Sequence, residues 1–347
     1  MPKDATEGRT NAGTRAAREA AIADFAGEWL AGENQDLYSE ILVTLCRLAR
    51  DNASRGDAKL LHKALQELRY GFKVFAPWRE IRKVSIFGSA RTREDAPAYK
   101  VAEQFARKMC ENDWMVITGA GDGIMKAGHG GAGVEKSFGV AIRLPFEQSN
   151  TIIADDPKLV TFRYFFTRKL MFMKESHAVV LFPGGFGTHD EGYEALVLMQ
   201  TGKAPIVPMV MLEPAGGSFW QHWRGYVTGE LLRTGMISEN DMSLFHVTDD
   251  IDDAVREIQR FYRIYHSQRY VNGDLILRLN RSISSARLDR LNGEYSDLLE
   301  SGAIEACDAL PEENGEYESK PRLRMRFNRQ RYGRLRQLID AINRDGE

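Results

Sequence analysis

The sequence predicts an α/β fold: a Rossmann-like, doubly wound parallel sheet with an N-terminal helical lead-in and a small C-terminal α+β appendage. Three observations carry that prediction. Short apolar runs alternate with segments of helical period between residues 81 and 265. Three of those runs end in glycine-bearing turns, at Gly88, at Gly119 to Gly123 and at Gly184 to Gly187. Outside this stretch the pattern changes, to helical spacing before it and to a mixture of short strands and helices after it. Strand–helix alternation requires right-handed crossovers. These lay the strands parallel and gather the turns along their carboxyl edge, where ligands of open sheets bind.

Residues 1–20, rich in Ala, Arg, Glu, Gly and Thr, read as a mobile tail. The lead-in, 21–80, has apolar residues at helical spacing over 22–30, 37–48 and 60–74, and is expected to cover the sheet or a second copy. Residues 81–265 form the candidate nucleotide-binding catalytic domain. Strands are expected there at 84–87, 115–118, 139–144, 159–162, 178–182 and 206–211, each a short apolar run bounded by turn residues. Helices are expected at 98–111, 124–133, 163–174, 188–201, 220–234 and 251–265. Trp220, Trp223 and Tyr226 read as packing rather than a base-stacking platform. Residues 266–347 form the appendage, of β-α-β-β-α order, with strands at 275–279, 304–310 and 323–327 and helices at 284–299 and 331–342. Seven arginines between 322 and 336 make its last part basic, and acids at 312, 313, 316 and 318 face them. This reads as a solvated, internally balanced surface; a site for an anionic regulator or RNA is the competing reading.

The most informative segment is Pro183, Gly184, Gly185, Phe186, Gly187, Thr188, His189, Asp190 and Glu191, directly after the apolar run 178–182. Its glycines let the main chain turn and aim N–H groups at an anion. The helix that follows adds the positive end of its dipole, and Thr188 adds a hydroxyl. Glu191 and Glu194 follow Thr188 at steps of three, which puts all three on one helical face with both carboxylates near the anion. Neighbouring carboxylates do not ionise independently, so one of them is a candidate acid or base near neutrality. The competing reading is a strand-to-helix turn with solvated first-turn acids, which the helix dipole favours in any case. Gly88 and Ser89 after the first strand, and Gly119, Gly121 and Gly123 after the second, supply two further turns for close backbone approach. An anion cradle beside carboxylates points to chemistry on a phosphorylated sugar.

The run from Pro183 to Glu191 resembles the PGGxGTxxE motif of the LONELY GUY family of cytokinin riboside 5′-monophosphate phosphoribohydrolases, once named lysine decarboxylases. Arg168 and Lys169 resemble the family's arginine-lysine segment, and the two upstream turns resemble its other nucleotide-binding loops. The resemblance covers about residues 80–265. It implies hydrolysis of the N-glycosidic bond of a nucleoside 5′-monophosphate to free base and ribose 5-phosphate. It implies Glu191 as the carboxylate that meets the cationic sugar, with Glu194 sharing a proton or orienting water. Arg168, at the position of the family's essential arginine, would hold the phosphate or ribose hydroxyls, or polarise the departing base. Gly184, Gly185, Gly187 and Thr188 are then the phosphate contacts, and Gly88, Ser89, Gly119, Gly121, Gly123 and Lys169 the other nucleotide contacts.

Two positions depart from the family pattern, Asp122 where proline is common and Lys126 where glutamate is common. His189 stands at a usually aliphatic position and is expected to be an exposed first-turn histidine rather than a proton-transfer group; His129 is read with the same reserve. Neither histidine lies in a metal-ligand pattern, so no metal is expected, and no cofactor is implied. The alternative on the same fold is a non-catalytic nucleotide or cofactor-binding protein, as in molybdenum-cofactor carriers and nucleotide sensors. An amino-acid decarboxylase is a third reading, but nothing marks a pyridoxal-phosphate lysine.

Composition sets the class. A chain of 347 residues with 43% hydrophobic content can fill a sizeable core. Its net charge of −2, from nearly balanced acids and bases, gives no support for broad nucleic-acid or membrane binding. Cys46, Cys110 and Cys307 are odd in number and widely spaced, as expected of reduced thiols. No signal-peptide core opens the sequence and no apolar run is long enough to span a bilayer, so the expectation is a cytoplasmic enzyme. The resemblance adds a homodimer or larger homo-oligomer.

Overall fold

Six short apolar runs and one segment not expected as a strand, His246–Thr248, form the strands β1 (Lys83–Phe87), β2 (Met115–Thr118), β3 (Ser137–Ile142), β4 (Leu159–Phe162), β5 (Ala178–Leu181), β6 (Met209–Leu212) and β7 (His246–Thr248). They lie in the order β4-β3-β2-β1-β5-β6-β7, and every neighbouring pair is parallel. Side chains alternate along a strand, so each strand feeds two faces. Val84, Ile86, Val116, Val180 and Val210 pack with apolar residues of the helices Pro97–Glu111, Ile124–Ala132 and Ile251–Phe261. Ile117, Val179, Leu181, Met209 and Met211 pack on the opposite face with Phe172, Met199 and Trp220, from the helices Phe165–Glu175, Phe186–Gln200 and Phe219–Tyr226. Helices on both faces of a parallel sheet make this the expected Rossmann-like, doubly wound fold.

The structure is a computed structural model and describes residues 17, 20–22, 24, 25, 27, 32–145 and 149–344. The expected tail, 1–20, lies outside these residues except at 17 and 20, and the expected helix at 22–30 is described only at 22, 24, 25 and 27, all helical. The chain divides into two compact units, Met1–Gln66 and Glu67–Glu347. In the first unit the helix Gln35–Arg50 buries none of its residues and leaves Leu37, Tyr38, Ile41 and Leu45 exposed. No helix among the described residues is long and apolar enough to cross a membrane.

Some boundaries move for local reasons. The sixth strand, expected from 206, begins at Met209 because Pro208 has no N–H for the ladder, although its carbonyl still accepts from Val179 N at 3.0 Å. The helix expected from 188 begins at Phe186, so Gly185 caps it and Gly187 lies inside its first turn. Trp220 and Trp223 are core, but Tyr226 is exposed.

The C-terminal region holds one strand more than expected. Strands β8 (Tyr265–Val271), β9 (Asp274–Leu279), β10 (Leu299–Cys307) and β11 (Arg322–Phe327) form an antiparallel sheet of order β10-β11-β9-β8, with helices Ser285–Glu294 and Tyr332–Asn343. The helix expected to reach 265 stops at Phe261. Tyr265–Val271 instead pairs with β9 across Asn272 (φ 49°) and Gly273 (φ 91°), and two positive φ values in succession match the twist of a tight hairpin. The last helix docks by specific contacts. Asn343 Oδ1 accepts from Ile264 N at 2.8 Å and Tyr265 N at 3.0 Å, and the Tyr332 ring lies where a Cβ on Gly202 would sit, 1.9 Å away.

The basic stretch is balanced by acids, but part of it is not solvated as expected. Arg322 Nε and Arg278 Nε donate to Glu313 at 2.7 and 2.8 Å, and all three side chains are buried. Arg336 is buried against Glu257 and Asp340. Arg324, Arg331 and Arg334 pair closer to solvent, with Glu305 and Asp297. Burial alone would raise the Glu313 carboxyl, but the Leu310 amide and the two guanidinium groups hold it below its ordinary value. A carboxylate held low contributes stability that is present above its unfolded pKa and is lost as pH falls through the folded value. Glu313→Gln is therefore expected to cost about 3 kcal/mol at neutral pH. The deficit should shrink as pH falls below 4.5, as read from urea unfolding across that range.

Candidate active site

The sheet order reverses between β1 and β5, and the turns after β1, β2 and β5 meet at that switch point. There they line a cavity of about 1160 Å³. The turns touch backbone to backbone. Ser89 N donates to Pro183 O at 3.2 Å, and Ser89 O accepts from Ile124 N at 3.1 Å. Glycine makes two of these approaches possible. A Cβ on Gly184 would lie 2.1 Å from Thr188 Oγ1 and 2.9 Å from Ser89 N; one on Gly123, at φ +61°, would lie 2.3 Å from Ser89 O. By contrast, a Cβ on Gly185 or Gly187 would meet nothing within 4 Å, so that side of the turn is open. The amides of Phe186 and Gly187, at the start of the helix Phe186–Gln200, have no intrahelical acceptor, whereas Thr188 N donates to Gly185 O at 3.1 Å; all three residues line the cavity.

Glu191, one turn into that helix, is buried and lines the cavity. Burial raises its carboxyl pKa above the ordinary value, while Arg168 and Lys169 pull it back. Arg168 Nη1 lies 3.8 Å from Glu191 Oε1. The guanidinium is fixed from behind, since its Nε donates to Val140 O at 2.9 Å and its plane lies 5.2 Å over the Phe172 ring. Its Nη2 would be 2.4 Å from a Cβ on Gly119, so a bare main chain at that position leaves it room. A fixed cation beside a partly desolvated carboxylate is suited to binding an anionic ligand and stabilising positive charge built on it.

Of the predicted residues, Gly88, Ser89, Gly119, Gly121, Arg168, Gly184, Gly185, Gly187, Thr188 and Glu191 line one cavity. Gly123, Lys169 and Glu194 are not among its lining. Gly123 serves the contact between turns, and Lys169 Nζ lies 3.0 Å from Asp190 Oδ2, 3.4 Å from Glu194 Oε2 and 3.8 Å from Glu191 Oε2. Glu194 thus pairs with Lys169 outside the lining. Asp122 is exposed, and Lys126 donates to Glu94 at 2.6 Å.

His189 departs from its expected exposure. It is half-buried among Tyr193, Phe219 and Trp220, lines the cavity, and its Nδ1 lies 3.0 Å from Gly185 O, a carbonyl that can only accept; Nδ1 therefore carries the proton. His129 is fully buried and hydrogen-bonded. Arg91, Arg143, Phe165 and Phe219 also line the cavity and went unread. Arg143 had a legible signal, since it directly follows β3 and so belongs to the same carboxyl edge. Among the described residues no group of three His, Cys, Asp or Glu is arranged to hold a metal.

Residues 119–258 match a family model described as possible lysine decarboxylase. A cytokinin riboside 5′-monophosphate phosphoribohydrolase of Mycobacterium tuberculosis is 32% identical over 105 residues, 29% of this chain and 52% of that protein. Over residues 119–258 the chain is therefore similar to the LONELY GUY family. The match spans about half the length of the mycobacterial relative. Among solved structures, a molybdenum-cofactor carrier protein of Chlamydomonas reinhardtii is 18% identical, with 52% of this chain and 97% of that one covered and a TM-score of 0.36. DNA processing protein A of Helicobacter pylori is 15% identical, with 52% and 80% covered and a TM-score of 0.33. Within the matched span 119–258 lie the second and third turns, Arg168 and Glu191; the first turn, Gly88 to Arg91, precedes it.

The two kinds of glycine in the third turn separate experimentally. Gly184→Ala drives a methyl into Thr188 and is expected to destabilise by about 1–3 kcal/mol. Gly185→Ala has open space and should stay within about 0.5 kcal/mol of the parent. Urea unfolding of both variants checks this.

Proposed function

We propose that the chain hydrolyses the N-glycosidic bond of a nucleoside 5′-monophosphate, of the cytokinin riboside or AMP type, to free base and ribose 5-phosphate. The observation that supports this most is a buried Glu191 held 3.8 Å from Arg168 at the wall of a cavity that also takes in the helix N-terminus around Gly185. A pure binding protein needs the anion cradle but not the desolvated acid beside it. In this reading the 5′-phosphate sits on the amides at Gly185 to Gly187 and the hydroxyl of Thr188, and the ribose lies over Glu191. As the C1′–N bond lengthens its electron pair leaves with the base, and the ionised Glu191 offsets the positive charge left on C1′. Water then bonds to C1′, and its proton leaves towards the carboxylate or the base. Arg168 holds the phosphate or ribose hydroxyls in register. Lys169 is a poor Schiff-base nucleophile: although burial pulls its pKa down, Asp190, Glu191 and Glu194 hold it above the ordinary lysine value.

The wider reading is a cytoplasmic enzyme whose catalytic part is residues 81–265 and whose later residues serve assembly or regulation. Unpaired cysteines support the compartment. A homodimer belongs to the same reading, supported by the exposed apolar residues Phe166, Leu170 and Val197.

Incubation with AMP and a panel of nucleotides, with the products separated, tests the activity; tight binding without base release would favour a carrier or sensor instead. Glu191→Gln should lower kcat at least about a hundredfold and leave nucleotide affinity nearly intact, whereas Arg168→Ala should damage both. Because Glu191 must be ionised and its carboxyl is raised, the rate should fall as pH drops through a value above 4.5. A pH–rate profile without an acid limb above that value would count against the role. Gly185→Val should weaken monophosphates by about tenfold or more while sparing nucleosides, since the cradle reads the phosphate; equal loss for both, measured by calorimetry, would reject the assignment.

A further inference from the structure

A buried polar chain stands behind the second glycine turn, in residues to which the mechanism above gives no task. Asn150, 4% exposed, aims its Nδ2 at Ala120 O (3.0 Å) and Gly121 O (2.9 Å), and its own backbone N–H donates to Ala120 O at 2.7 Å. Its Oδ1 accepts from Ile152 N at 3.3 Å, which fixes which end of the carboxamide faces the turn. His129 supports it from below. His129 Nε2 lies 3.1 Å from Phe138 O, a carbonyl that can only accept, so Nε2 carries the proton and Nδ1 is left to accept from Asn150 Nδ2 at 3.2 Å. On the other flank, Thr118 Oγ1 accepts from Ala120 N at 3.0 Å. Between these supports Ala120 is held at φ +64°, a left-handed conformation that costs a residue with a Cβ about 1 kcal/mol or more.

The orientation of two peptide planes follows. In a trans peptide the N–H points opposite to the C=O, and there are no cis peptides among the described residues. With the carbonyls of Ala120 and Gly121 both turned to Asn150, the N–H groups of Gly121 and Asp122 are turned away from it. Gly121 lines the cavity. We propose that Asn150 is a positioning residue of the cavity: its carboxamide, braced by His129, sets these two peptide groups so that their N–H edges face the ligand and read an acceptor atom of it. That the ligand is a nucleoside monophosphate rests on the function proposed above; how the peptides are held does not.

Asn150→Asp in the full chain is the discriminating change, because the carboxylate keeps the shape but offers an acceptor where the Gly121 carbonyl needs a donor, while Ala120 O keeps the backbone N–H of residue 150. The expected result is about a tenfold rise in KM for AMP with kcat nearly unchanged. A crystal structure of the variant should show the Gly121 carbonyl turned away from residue 150. Asn343→Asp, which disturbs a buried asparagine that caps Ile264 and Tyr265, controls for general loss of stability and should leave KM where it is. Asn150→Ser, too short to reach either carbonyl, serves if the aspartate variant does not fold. A Gly121 carbonyl that stays turned inward, or a KM for AMP that does not move while it turns outward, would overturn the proposal. If the parent chain neither binds nor cleaves AMP, the nucleotide reading fails by itself, and the crystal structures still decide whether Asn150 sets the turn.

Discussion

The backbone of Ser89 is the point on which the site depends. Its N–H reaches Pro183 in the turn after β5, and its carbonyl takes the N–H of Ile124 at the end of the turn after β2. Three loops far apart in sequence are thereby set at hydrogen-bond distance by main-chain atoms, which have no rotamers to lose. The cost is that side chains are excluded at the contact points, which explains why Gly123 and Gly184 stand there while Gly185 and Gly187, equally prominent in the motif, face open space. Two functions of glycine share one run of sequence. One closes the protein on itself, and the other leaves a surface bare for a ligand.

Above this scaffold the charges are arranged by burial. Arg168 is anchored by Val140 O and Phe172 and reaches Glu191 only at 3.8 Å, longer than a direct hydrogen bond. The pair is therefore coupled electrostatically rather than by a direct hydrogen bond. Lys169, the adjacent cation, does the opposite: it points to Asp190 and Glu194 and holds the outer side of the helix. Adjacent residues on one helix thus divide between the cavity and its wall.

Six of the seven strands of the central sheet were legible because they read as short apolar runs, three of them closed by glycine-bearing turns, whereas β7 (His246–Thr248), with one apolar residue among three, was not expected. The cavity followed from topology, since turns at one edge of a parallel sheet must meet. What escaped was information about the partner of a residue rather than about the residue. His189 has the local sequence of an exposed first-turn histidine, and only Phe219 and Trp220, arriving from a later helix, take it out of solvent. Glu313 and Arg322 lie in a run of charges that reads as surface, yet β9 brings Arg278 over them and encloses all three. The strand Tyr265–Val271 is a different case, because the Asn272-Gly273 dipeptide that ends it is a hairpin signal visible in the sequence. There the helical period before it was extended too far.

The ring of Tyr332 occupies the space that any side chain at position 202 would need, and Gly202 itself sits at φ +68°. This contact joins the helix that closes the chain to the loop before β6, across more than a hundred intervening residues. Any side chain at 202 therefore requires the aromatic ring at 332 to move or be replaced. The terminal segment is for that reason fitted to this particular body and would not transfer intact to a relative carrying a larger residue in that loop.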